Sequence, residues 1–298
     1  MYYRRKLLLS ILDIFEGELS NTYLQKVLFL VTRLQTKKSY DFVPYKYGCY
    51  SFQANQDLNT LSKYGLIEKE TKNNQSTWKL IENDSMVYKL NKEDKQFILD
   101  IKKEIEFLPL NKLVKHTYIK YPFFATKSQI AERLLSDEEL KKVNEQKRNY
   151  KEQKVFTIGY EGVSLEKYLN KLIINDVKLL CDVRKNPLSM KYGFSKNRLK
   201  SACEAVGIEY LHIPQLGIVS SKRQKLNNQK DYDILFKEYE KTTLKENKEY
   251  LLLINDYINE YSRIALTCFE KEVCMCHRGV VLKNIINQEN WDIPHQNL

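Results

Sequence analysis

No stretch of the 298-residue chain approaches the roughly 18 to 20 uncharged apolar residues that a membrane span needs, so no membrane protein is expected. The opening Met1-Tyr2-Tyr3-Arg4-Arg5-Lys6 runs into a short mixed helix and lacks a signal-peptide cleavage region, which makes the cytoplasm the expected location. Cysteine is sparse: the six residues at 49, 181, 203, 268, 274 and 276 are nowhere spaced as a disulfide framework, so reduced thiols are expected. Internal repeats and low-complexity tracts are also lacking.

Basic charge, by contrast, is plentiful. Lys and Arg number 49 against 38 Asp and Glu, a formal charge of +11. A polyanion is the natural partner of such a chain, because phosphate contacts by Lys and Arg release counterions. Nucleic acid, double-stranded DNA above all, is therefore expected; the excess of Lys over Arg also fits a basic protein with no such role. Length and a hydrophobic content of 43% favour two domains.

The first half carries helical spacing. Leu7, Leu8, Ile11, Leu12 and Phe15 mark a helix over 5–16, and Leu24, Val27, Leu28, Val31 and Leu34 mark a second over 21–35 behind a Ser20-Asn21 cap. A loop at 42–50 leads to Ser51, the N-cap of a third helix that buries Leu58 and Leu61 and ends at Gly65. The runs 66–71 and 76–81, joined by the polar turn Lys72-Asn73-Asn74-Gln75, read as a hairpin. Three helices and a hairpin are the winged-helix order, in which Gln53, Asn55 and Gln56 on the third helix would meet base edges and Lys63, Lys69 and Lys72 phosphates. Further helices are expected over 92–107 and 128–141, separated by Tyr121-Pro122. The expected boundaries are a winged-helix-like module with extra helices over 1–136, a charged connector over 137–153, and an α/β domain over 154–298.

In that last segment short apolar strands alternate with helices. Strands are expected at 155–158, 178–183, 208–212 and 263–268, with helices over 164–174, 195–206 and 277–287. The pattern implies a mainly parallel sheet flanked by helices, whose sites lie beyond the carboxyl ends of the strands. There the chain places Tyr160 and Glu161, then Asp182 and Arg184, then Glu270, then Cys276, His277 and Arg278. One cleft lined by these residues is the expected active site, with Glu161, Asp182, Arg184, Glu270, His277 and Arg278 catalytic and Tyr160, Lys191, Tyr192, Phe194 and Cys276 binding substrate.

Thr157-Ile158-Gly159-Tyr160-Glu161-Gly162, Asp182-Val183-Arg184 with Asn186-Pro187, Lys191 with Gly193-Phe194-Ser195-Lys196, Gly207-Ile208-Tyr210, Leu216-Gly217, Cys268 with Glu270, and Cys276-His277-Arg278 together resemble the family known as domain of unknown function 488, across about residues 154 to 296. Cys274 and the ending around Pro294-His295 depart from that pattern. Phe42-Val43-Pro44-Tyr45-Lys46-Tyr47-Gly48 and Tyr121-Pro122 are similar, more loosely, to the winged-helix-like Panacea domain of antitoxins and of prophage and defence neighbourhoods. That resemblance implies a module that touches either DNA or a protein partner.

Each candidate has a plainer reading. Asp182 and Arg184 form either an orienting pair for a phosphate or water, or a local ion pair. Either Glu161 or Glu270 can activate water. Cys276 at a helix start beside His277 and Arg278 suggests a stabilised thiolate, although the phosphatase spacing of Cys, five residues, Arg is absent because residue 282 is Leu. Cys268, Cys274, Cys276 and His277 count four soft ligands without the two-residue separation usual in a zinc Cys pair, so no metal or other cofactor is expected. Tyr160, Tyr192 and Phe194 offer a stacking surface for a base, or simply pack a loop. The basic run Ser220 to Lys225, with Lys222 and Arg223, contacts a nucleic-acid backbone or is merely solvated.

The leading expectation is a DNA-directed hydrolase that processes a nucleotide or modified base in defence against phage, in the manner of a DNA glycosylase. The alternatives are an antitoxin-like regulator that binds nucleic acid or protein without turnover, and a cysteine-dependent transfer enzyme.

Overall fold

A computed structural model divides the chain into two units, Met1–Lys147 and Arg148–Leu298. It describes residues 1–72, 75–81, 86–223, 226, 228–287 and 291–298. Among these, no helix is long and apolar enough to cross a membrane.

The first unit runs α1 (Tyr3–Ile14), β1 (Glu18–Ser20), α2 (Asn21–Leu34), β2 (Val43–Tyr45), β3 (Gly48–Tyr50), α3 (Phe52–Lys63), β4 (Ile67–Lys72), β5 (Gln75–Leu80), α4 (Lys92–Ile105), α5 (Leu110–Lys120), α6 (Ala131–Leu134) and α7 (Asp137–Gln146). The Ser20 and Ser51 hydroxyls accept the backbone N–H groups of Tyr23 and Ala54, so both expected caps form. Gly65 at φ +69° closes α3. The hairpin β4–β5 gains a third antiparallel strand in β1, in the order β1-β5-β4. Leu7, Leu8, Leu24, Leu28, Leu58 and Trp78 share the resulting core. An ion-pair knot ties α1 to α3: buried Asp57 receives Arg4 Nε at 2.6 Å and Arg5 Nε at 2.7 Å.

Several elements differ from expectation. The segment 42–50 holds the two-stranded ribbon β2–β3, in which Gly48 sits at φ +93° and a Cβ would come within 2.5 Å of the Tyr118 ring. The helix expected over 128–141 is split, because Ser136 and Glu139 form a capping box that starts α7 afresh. The first part of the expected connector is thus a helix of the N-terminal unit, and despite its charge it buries Val143 in a second cluster with Val114, Tyr118 and Leu135, against which Leu140 packs. Helix α5 was not expected. Asn73 and Asn74 of the hairpin turn lie outside the described residues.

The second unit runs β6 (Lys154–Gly159), α8 (Leu165–Ile174), β7 (Leu179–Asp182), α9 (Lys196–Ala205), β8 (Glu209–His212), α10 (Gln229–Tyr239), α11 (Lys248–Tyr261), β9 (Arg263–Cys268), α12 (His277–Ile286) and β10 (His295–Asn297). The strands form one sheet in the order β10-β6-β9-β7-β8, every neighbouring pair parallel. Side chains alternate across it. Cys181, Val183, Ile264 and Leu266 pack with Leu251, Ile254 and Val281 of α11 and α12. Thr267 points to the opposite face, where its hydroxyl accepts from Tyr168 of α8 at 2.7 Å. Helices α10 and α11 were not anticipated from the sequence.

Candidate active site at the strand ends

The alternation of the sheet decides which candidates meet. Asp182 is the register partner of Thr267 and shares its face, whereas Cys268, one residue further, points to the face of α12. The single cleft expected from the sequence is therefore two clusters.

The first is sealed. Asp182 is 0% and Arg184 5% exposed. Arg184 makes a fork–fork pair with Asp182, Nε to Oδ1 at 2.8 Å and Nη2 to Oδ2 at 2.5 Å, and its Nη1 donates to the Tyr160 hydroxyl and the Phe194 carbonyl, both at 2.8 Å. The Tyr210 hydroxyl donates to Asp182 as well; burial and that carboxylate push its own pKa far up. Tyr160 stacks on Phe194 with centroids 4.3 Å apart. These buried residues brace the loop after β7, and of the two readings open for Asp182 and Arg184 the structure shows the local ion pair, with Tyr160 and Phe194 packed around it. Lys191 Nζ donates to the Tyr160 carbonyl at 2.7 Å, and Tyr192 is half-buried against Arg198.

The second cluster surrounds a cavity of about 270 Å³ lined by Glu161, Arg223, Phe269, Glu270, His277 and residues of α10. Glu270 accepts from Arg223 Nη1 at 2.8 Å, and Arg223 Nη2 donates to His277 Nδ1 at 3.0 Å. An arginine has only protons to give, so Nδ1 presents its lone pair. His277 Nε2 lies 2.8 Å from the Val183 carbonyl, which only accepts, so the ring proton is on Nε2. Cys268 Sγ is 3.2 Å from Glu270 Oε2 and 3.6 Å from His277 Nδ1. Glu161 Oε2 accepts the Lys271 backbone N–H at 3.0 Å, and Arg278 donates to the Glu270 and Lys271 carbonyls. Arg278 is fully buried, so it shapes the loop that presents Glu270 and does not face the cavity.

Burial and the neighbouring Cys268 raise the Glu270 pKa, with Arg223 pulling the other way. Burial also opposes charge on Cys268, yet the hydrogen bond from Cys276 and the Arg223 guanidinium hold its thiol well below the ordinary range. Cys276 moves oppositely: burial, then the adjacent Cys268, push it well up. That direction is opposite to the stabilised thiolate expected on Cys276. Arg223, expected on a nucleic-acid surface, is instead part of the site. Lys222 is exposed and paired with Glu238 at 2.6 Å, and Gln224 and Lys225 lie outside the described residues. In the first unit Gln53, Asn55 and Gln56 are half-buried on α3, and Lys63 and Lys72 are exposed.

The sequence reading missed Lys26. It is 1% exposed on α2, donates to the Cys49 carbonyl at 3.0 Å and borders a cavity of about 710 Å³ with Tyr45, Tyr50 and Arg133. No motif marks it. Burial lowers its pKa below 10.5, against the raising effect of Cys49. The unfolded chain therefore binds this proton more readily than the folded one, a destabilisation that fades as pH climbs from the lowered value to 10.5. Urea unfolding at several pH values should show the wild type gaining on Lys26→Met across that window; a constant difference would mean that Lys26 is not desolvated.

Residues 164–285, less than half of the chain and wholly within the C-terminal unit, match the family model described as domain of unknown function DUF488. No curated protein matches the chain.

Proposed function

We propose that the C-terminal unit is a hydrolase acting on a nucleotide of duplex DNA at the bond between sugar and base, and that the N-terminal unit docks the duplex. The carrying observation is the cavity in which Glu270, Arg223 and His277 converge beside Glu161 and Phe269. Glycosidic hydrolysis needs a carboxylate to orient water and balance an oxocarbenium-like sugar. Glu270 serves that role: it takes the proton of the attacking water as oxygen bonds to the anomeric carbon, and the electron pair of the C–N bond leaves with the base. Arg223, whose guanidinium lines the cavity beside Glu270, steadies the departing base, and His277 Nδ1 holds that guanidinium in place.

Two features support DNA as the target, beyond the charge of +11. The loop after β7 holds Leu188 85% and Met190 105% exposed, although that loop is pinned by Lys196 N–H to the Pro187 carbonyl and by the Ser195 hydroxyl to the Ser189 carbonyl. Bare apolar side chains on a braced loop suit insertion between base steps, which helps turn a nucleotide out of the stack. Beside them Lys185, Lys196, Arg198 and His212 line a shallow cleft suited to phosphates.

The test is incubation of the full chain with duplexes carrying plain and modified bases, read as alkali-labile sites. Glu270→Gln should slow base release about 100-fold, and Leu188→Ala/Met190→Ala should weaken action on duplex more than on single strands. Absence of abasic sites and strand breaks on every substrate would sink the proposal and leave a binding protein. The thiol-transfer reading has less support, since Cys268 and Cys276 are 0% and 1% exposed.

A further inference from the structure

Cys268 and Cys276 have no part in the hydrolase reading, yet they are the most unusual feature of the site. Their Sγ atoms and a ring nitrogen of His277 all lie within 4.8 Å of one another, and all three residues are buried. Zinc takes thiolate at about 2.3 Å and imidazole at about 2.0–2.1 Å, so the sulfur-to-nitrogen edge of its tetrahedron is about 3.6 Å. The Cys268 Sγ to His277 Nδ1 distance is 3.6 Å.

The donors are also oriented. Nδ1 carries the ring's lone pair, which here accepts from Arg223, because Nε2 is committed to the Val183 carbonyl at 2.8 Å, the outer partner that a metal-bound histidine ordinarily has. Cys268 ends the buried central strand β9, while Cys276 is the N-cap of α12 and His277 its first residue, so the ligands stand on ordered elements. The sequence spacing argued against zinc because none of Cys268, Cys274 and Cys276 forms a pair with two residues between; the fold brings Cys268 and Cys276 together across the loop all the same, while Cys274 is exposed.

We propose that Cys268 Sγ, Cys276 Sγ and His277 Nδ1 bind one zinc-class divalent metal ion, with the fourth position on the side from which Arg223 reaches Nδ1. In the present arrangement the Arg223 guanidinium supplies positive charge there, at 3.0 Å from Nδ1 and 2.8 Å from Glu270. It must swing aside for the metal. Binding needs both sulfurs as thiolates, and any protons they carry pass to solvent. The binding site stands without the hydrolase reading. Its use rests on that reading: a water in the fourth position, beside Glu270, would be acidified by the ion.

The test uses the full chain, freed of metal by chelator with its thiols reduced, and titrated with Co²⁺ or Zn²⁺ alone. One equivalent of Co²⁺ should produce a thiolate-to-cobalt charge-transfer band and the visible bands of a tetrahedral ion, both abolished by one equivalent of Zn²⁺. Cys268→Ser and Cys276→Ser should each weaken binding at least about 100-fold, and Cys274→Ser should leave it unchanged. Arg223→Ala, which removes the competing cation, should tighten it, and this keeps the test decisive where a serine variant fails to fold. A folded wild type with no thiolate band, or a band lost in Cys274→Ser and kept in Cys276→Ser, overturns the site. Tight binding without base release from any duplex supports the metal site and removes only the hydrolase reading. Base release by a chain that shows no cobalt band overturns the metal site alone.

Discussion

Asp182→Asn should cost the C-terminal unit about 3–5 kcal/mol, because it breaks a buried ion pair and leaves the Arg184 guanidinium without its counter-charge. The pair is sealed at 0% and 5% exposure, with the Tyr160 and Tyr210 hydroxyls and the Phe194 carbonyl completing its bonds. Removing both partners with Asp182→Leu and Arg184→Leu should recover part of the loss, since no lone charge remains buried. Denaturant unfolding of the single and double variants measures this. An Asp182→Asn chain as stable as the wild type but without turnover would return Asp182 to the chemistry.

A comparable loss is expected from a smaller change. A Cβ on Gly159 would lie 2.0 Å from the Glu270 carbonyl oxygen and 2.8 Å from its carbon, distances at which backbone must move. Gly159→Ala therefore forces the Glu270–Lys271 segment away from β6, against the Arg278 clamp on the same carbonyls. We expect destabilisation of about 3 kcal/mol, together with loss of whatever the wild-type cavity binds or turns over. Gly162→Ala provides the comparison, since its Cβ would meet nothing within 4 Å although φ is +74°: it should strain the backbone without displacing Glu270. Equal effects of the two variants would show that the close approach at Gly159 is unimportant.

Much of this architecture was legible in the residues. Apolar spacing located α1, α2 and α3, and the alternation of short strands with helices located the parallel sheet. What sequence periodicity could not give was the face on which each strand-end residue emerges. Asp182 and Cys268 both end apolar strands, and only the pairing of Asp182 with Thr267 reveals that they point to opposite sides. Arg223 was misplaced for a related reason: a basic run looks solvated until the fold brings an acid and an imidazole to one of its members. In α11 the spacing of Leu251, Ile254 and Ile258 was readable in the sequence, whereas α10 buries only Leu235 and Tyr239 among Lys, Asp and Glu. The capping box at Ser136 was readable in principle, because Ser-x-x-Glu is a local signal.

Val183 joins the two clusters. Its neighbours on either side are the acid and the guanidinium of the sealed pair, and its own carbonyl fixes the imidazole across the sheet. One peptide thus carries both tethers, so a substitution that displaces the internal pair is expected to shift the imidazole as well, and with it the Arg223 guanidinium that the ring holds.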